Sequence, residues 1–145
     1  MKEENHAFLE FPSRSANEGF ARAAAACFAA QLDPTLEEVN DVKTAVSEAV
    51  TNAIVHAYPD TLGKIVLKLR IRQDNILEIV VRDWGVGIAD VEQARTPLYT
   101  TGGVERAGMG FTIMESFMDR VKVRSKPGKG TVVTLTRQIS RREVR

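Results

Sequence analysis

The sequence predicts an α/β protein, a two-layer sandwich with helices on one face of a mixed, mostly antiparallel sheet. Three observations predict it. The apolar spacing changes from helical to alternating after Gly63. The elements run strand, two helices, two strands, helix, two strands, and each strand offers a single apolar face. The chain has 145 residues, 43% hydrophobic and 27% charged, enough for one core. With no repeat, low-complexity stretch or Pro/Gly-rich linker, residues 1–145 read as one domain.

Residues 7–11 read as a short strand stopped by Pro12. Ser15 with Glu18 has the pattern of a capping box, opening a helix over residues 16–32 that Asp33-Pro34 breaks. Thr35 with Glu38 is a second such pattern, and the spacing of Val39, Val42, Val46, Ala49, Val50 and Ala53 predicts a long helix from about Leu36 to Ala57. Ile65, Leu67, Leu69 and Ile71 alternate with polar neighbours as in a half-buried strand. After a turn at Asp74-Asn75, Leu77, Ile79 and Val81 form the inner face of the next strand. A glycine-rich region over 83–110 holds a short helix near 90–95, and a helix follows over 111–118. Val121 and Val123 mark one further strand, Val133 and Leu135 the last.

Charge is distributed unevenly. The formal net charge is +1, which argues against a wholly basic nucleic-acid binder. Residues 1–60 carry a net −6 and residues 61–145 a net +7. Lys68, Arg70, Arg72, Arg82, Lys122, Arg124 and Lys126 all fall on the strand face opposite the apolar positions. They are expected to keep an open sheet face solvated, with no aromatic between them to stack on bases. The single cysteine, Cys27, excludes an intrachain disulfide and a Cys-based zinc cluster, and its alanine-rich surroundings predict a small buried hydrophobe. The polar start from Met1 to His6 lacks a signal-peptide pattern, and no apolar run approaches the ~20 residues of a membrane span. The expected location is the cytoplasm.

Three segments carry chemistry. On the long helix Glu48, Asn52 and His56 are spaced i, i+4, i+8 and share one face. They form either a solvated face or a site in which Asn52 offers oxygen to a hard cation and Glu48 acts as a base or holds a water. Asp83-Trp84-Gly85-Val86-Gly87 leaves a strand directly. Parity points Asp83 inward, where a carboxylate needs a donor such as a purine amine, and Gly85 and Gly87 allow close approach of a flat ring. A tight strand-exit turn accounts for the same residues. Thr131 falls on the same face as Val133 and Leu135, so it joins Asp83. Gly102-Gly103 and Gly108-Met109-Gly110 flank Val104-Glu105-Arg106-Ala107 and run into a helix. They read as a surface loop, or as one whose amides suit phosphate and which closes over a ligand. No phosphate-binding P-loop, dinucleotide fingerprint or protein-kinase signature is present.

The order of these motifs, with Gly130-Thr131 after them, resembles the Bergerat-fold (GHKL) ATPases, which include gyrase-type topoisomerases and histidine kinases. Ser47 to Tyr58, Asp83 to Ile88, Pro97 to Thr101 and Gly108 to Glu115 narrow the resemblance to the sporulation anti-sigma F factors, over about Phe8 to Leu135. That resemblance implies a protein-serine kinase that also binds and silences a sigma factor. It implies ATP/ADP and Mg²⁺ as cofactors, with Asn52 on the metal and Glu48 as general base. Asp83, supported by Thr131 through water, would hold adenine, while Gly85 and Gly87 line the base. Thr100, Thr101, Arg106, Gly108 and Gly110 would form the ATP lid, with Arg106 toward the terminal phosphate. The implied partners are a sigma factor, met in the region of Glu18 and Arg22, an anti-anti-sigma protein carrying the acceptor serine, and a second copy of the chain. A general stress-response anti-sigma kinase, or a nucleotide-gated sigma-binding module without transfer, are the alternatives. Trp84 and Ala107 depart from the small polar or acidic residue and the serine usual in this group.

Overall fold

The computed structural model describes residues 3–95 and 103–140, giving residues 103–108 as backbone alone. Strands β1 (Glu3–Pro12), β2 (Lys64–Arg72), β3 (Ile76–Asp83), β4 (Arg120–Lys126) and β5 (Gly130–Gln138) form one sheet in the order β1-β2-β3-β5-β4. Every pairing is antiparallel, where the sequence allowed for a mixed sheet. The reason lies in the last hairpin. The crossover from β3 sets β4 one place too far out to pair with it, and β5 returns between the two. β3 and β4 thus run parallel without touching.

Helices α1 (Ala16–Ala29), α2 (Leu36–Asn52), α3 (Val91–Ala94) and α4 (Gly103–Phe117) form the second layer. Between the layers Leu67, Leu69, Ile79 and Leu135 of the sheet meet Val42, Val46 and Val50 of α2, all fully buried. The predicted capping box of α2 is present: Thr35 Oγ1 accepts from the Glu38 amide at 3.1 Å, and Glu38 Oε1 from the Thr35 amide at 2.9 Å. The one predicted for α1 does not form. Ser15 is itself helical, at φ −59° and ψ −31°, and makes no side-chain cap. Glu18 turns instead toward Arg22, 3.5 Å away.

Cys27 is exposed, against expectation. The buried stripe of α1 is Ala21, Ala25, Phe28 and Ala29, and Cys27 lies about 200° around the helix from Ala25. An alanine-rich run hides its own polarity, so its composition did not say which side faces the core.

The cationic face is as open as predicted for Arg82, Lys122, Arg124 and Lys126, which are exposed. It is not free of aromatics. Phe8 pairs with Lys68 across β1 and β2, and Trp84 stands between Lys64 and Arg82, 4.3 and 4.7 Å from its ring centre. No helix among the described residues is long and apolar enough to cross a membrane.

Candidate functional site

The sheet ends, the C-terminal part of α2 and the loop after β3 enclose a cavity of about 370 Å³. Of the predicted residues, Asn52, Asp83, Gly87 and Thr131 line it. Asp83 and Thr131 are directly opposite each other in the β3–β5 register, which is why strand parity found both. Asp83 is only 5% exposed. Its Oδ1 accepts from the amides of Gly85 at 3.0 Å and Thr131 at 3.2 Å. Oδ2 has no partner among the described residues and is left to accept from a ligand. Burial raises the Asp83 pKa above the ordinary aspartate value, and the two amides offset part of that.

Contact between Thr131 and Asp83 is therefore direct, through the backbone. The Thr131 hydroxyl is engaged elsewhere, 2.8 Å from Ser125 Oγ, which also accepts from the Ile88 amide at 2.8 Å. Ser125 was not foreseen as a site residue, although its parity with Val121 and Val123 points it inward. Tyr58 was also missed: its hydroxyl accepts from the Trp84 amide at 2.7 Å and donates to the Lys64 carbonyl at 2.7 Å. No local pattern marks a tyrosine just past a helix end for that task. Burial, with the nearby Asp83 charge, raises its pKa.

The glycines have reasons other than a flat ring. A Cβ on Gly85 would sit 2.1 Å from the Ala57 carbonyl oxygen, and the Val86 amide donates to that same oxygen at 3.0 Å. Gly85 lets the strand exit press against the end of α2, and it does not line the cavity. Gly87 has φ +75°, and a Cβ there would meet the Lys126 carbonyl at 2.0 Å.

α2 ends at Asn52 and continues as one π turn, Ala53–Ala57, which carries His56 to the cavity wall. Glu48, one turn earlier, borders a second cavity of about 310 Å³ between α1 and α2. Gly110 joins the two sites. A Cβ on it would lie 3.0 Å from Asn52 Nδ2 and 3.2 Å from Glu48 Oε2, so its backbone rests on both side chains. Asn52 Nδ2 is buried and makes no hydrogen bond among the described residues. That orphaned amide can donate to a phosphate oxygen, and the Asn52 amide oxygen can meet the phosphate's hard cation. No group of three or more His, Cys, Asp or Glu placed to hold a metal ion by itself occurs among the described residues.

The glycine-rich segment departs from the sequence reading. α4 begins at Gly103, not near Phe111, so Gly108 and Gly110 lie inside the helix and their amides do not form its first turn. Two helical glycines cost about 2 kcal/mol against alanine, which is why the sequence reads as loop. Packing against α2 at Gly110 accounts for one of them. The side chain of Arg106 and all of Thr100 and Thr101 lie outside the described residues, as does Ala107 beyond its backbone. Glu18 and Arg22 are paired on α1, away from the larger cavity.

The histidine kinase-like ATPase domain family matches residues 11–137, from the end of β1 nearly to the end of β5. The class is thus a nucleotide-binding ATPase fold, and relatives narrow it. An anti-sigma F factor of Pasteuria penetrans is 56% identical over 93% of this chain and 91% of its own. One from Bacillus subtilis is 50% identical over 97% of this chain and 96% of its own. The chain belongs to the anti-sigma F factors, within the histidine kinase-like ATPase family. The fold agrees with solved structures. The RsbU and RsbW domains of a Mycobacterium tuberculosis protein superpose with TM-score 0.66 at 20% identity, over 95% of this chain and 33% of that one. A blue-light activated histidine kinase domain of Erythrobacter litoralis gives 0.56 at 22% identity, over 84% of this chain and 61% of that one. The protein is an anti-sigma factor on a kinase-like ATPase fold.

Proposed function

We propose that the protein is an ATP-dependent protein-serine kinase, which inhibits a sporulation sigma factor and phosphorylates a serine of that factor's anti-anti-sigma antagonist. One observation carries the reading: the Gly110 backbone packs on both Glu48 and Asn52, and Asn52 shares a cavity wall with Asp83. A nucleotide whose amine donates to Asp83 would turn its phosphates toward Asn52 in the same cavity. Asn52 would hold Mg²⁺ there, and the ion supplies charge neutralisation on the phosphates when bound. Glu48 accepts the proton of the acceptor serine. The serine Oγ–P bond then forms as the bond from the γ-phosphorus to the bridging oxygen breaks, and ADP leaves with that electron pair. Gly108, Arg106, Thr100 and Thr101 belong to the lid in this reading, and Arg106 meets the terminal phosphate.

The partners follow from the same reading: sigma in the region of Glu18 and Arg22, the antagonist, and a second copy of the chain, all in the cytoplasm. Incubation with labelled ATP and the antagonist is expected to label one antagonist serine. ATP binding without label would instead support a nucleotide-gated module. Glu48→Gln is expected to cut transfer by 100-fold or more, on the order of general-base catalysis, with ATP still bound. Unchanged transfer would remove Glu48 from that role. Recovery of a stress-response sigma factor in place of a sporulation one would redirect the regulatory assignment and leave the chemistry intact.

A further inference from the structure

The second cavity has no part in nucleotide binding as described above, and Glu48 stands in its wall. Its other lining residues are Arg22 from α1 and Asn40, Lys43, Thr44 and Ser47 from α2. Two of the six are cations, but they are not equivalent. Arg22 is paired with Glu18 at 3.5 Å. Lys43 makes no ion pair among the described residues. A half-exposed lysine with no ion pair, in a polar cleft, is a recognition element for an anion.

Nucleotide phosphate is the wrong anion on two counts. Lys43 precedes Asn52 by nine residues, about 13.5 Å along the helix, beyond the reach of a lysine toward phosphates held at Asn52. The Glu48 carboxylate also stands between them and repels phosphate. A peptide segment meets neither obstacle. A serine hydroxyl can approach Glu48, and a neighbouring carboxylate can meet Lys43 about 7.5 Å away along the helix, the span of two or three extended residues.

Resting on the kinase reading above, we infer that the cleft between α1 and α2 seats the acceptor segment, and that Lys43 selects acceptors with an Asp or Glu within three residues of the serine. Lys43 acts here as a specificity determinant and takes no part in the transfer itself. Asn40 and Thr44, on the same wall, offer hydrogen bonds to the segment's backbone.

The test is steady-state transfer from labelled ATP to the antagonist by the full chain, with Lys43→Glu beside the wild type. The acceptor KM is expected to rise about tenfold in Lys43→Glu, with kcat and the KM for ATP unchanged. Changing the acidic neighbour of the acceptor serine to lysine should restore the KM with Lys43→Glu while impairing the wild type. An unchanged acceptor KM overturns the assignment alone, and so does a raised KM for ATP, which would place Lys43 with the nucleotide. Absence of label even with the wild type overturns the kinase reading and this assignment together.

Discussion

Two buried carboxylates, Glu38 and Asp83, differ in how completely they are used. They are 7% and 5% exposed, and both accept hydrogen bonds from backbone amides. Glu38 spends both oxygens within the protein. Oε1 accepts from the Thr35 amide and the Ser140 hydroxyl, and Oε2 from the Ser140 amide at 2.8 Å. Burial alone would raise its pKa, but these bonds outweigh it and hold the group below the ordinary glutamate value. Asp83 spends only Oδ1, and burial wins. A fully paired carboxylate clasps the start of α2 to the chain beyond β5. A half-paired one at a cavity wall is an acceptor kept ready. The bond count separates structure from function where depth of burial does not.

The largest effect that would break this comparison is on ligand affinity. Asp83→Asn is expected to weaken ATP binding about 10- to 100-fold by calorimetry, the worth of a charge-assisted hydrogen bond. The thermal midpoint without nucleotide should hold or rise, since a buried charge is removed. A fall in stability with intact affinity would make Asp83 the clasp.

Glu38→Ala should do the opposite, costing about 2 kcal/mol in urea unfolding by leaving a cap and the Ser140 amide unpaired, with ATP affinity unchanged.

pH sharpens the contrast further. A raised folded-state pKa means that the Asp83 contribution to stability is present at low pH and lost as pH rises through that pKa. The lowered Glu38 pKa means the reverse, a contribution lost only as pH falls below the ordinary glutamate range. On acidification from neutrality, ATP affinity should therefore decline before the fold does. Coincident loss of both would show that the two carboxylates titrate together.

The smallest expected effect is that of Ser125→Ala, about 1 kcal/mol, from freeing the Ile88 amide and the Thr131 hydroxyl. A loss of ATP affinity greater than the loss of stability would mark Ser125 as part of the nucleotide site.

What could be read in the sequence was what repeats along one element. Strand parity placed Asp83 beside Thr131, and helical spacing placed Glu48 and Asn52 together. Contacts that no shared face announces were not legible. Gly85 answers to the Ala57 carbonyl, Tyr58 to the Trp84 amide, and Gly110 to side chains 58 and 62 positions earlier. α4 starts at Gly103 and runs through Gly110, where contact with the Asn52 and Glu48 side chains of α2 explains a glycine inside a helix. Cys27 and Ser15 failed for the opposite reason: a plausible local pattern was present, and the helix phase or backbone angle went the other way.

The chain contains one tryptophan, and the fold places it next to the carboxylate that closes the cavity. The Trp84 amide is tied to Tyr58, and its ring stands between two cations on the far side of the sheet. A ligand that meets Asp83 therefore lies one residue away from the indole. The emission of that single indole, excited apart from the two tyrosines, is expected to report occupation of the cavity in unlabelled protein, and a spectrum unchanged by saturating ATP would show that it does not respond.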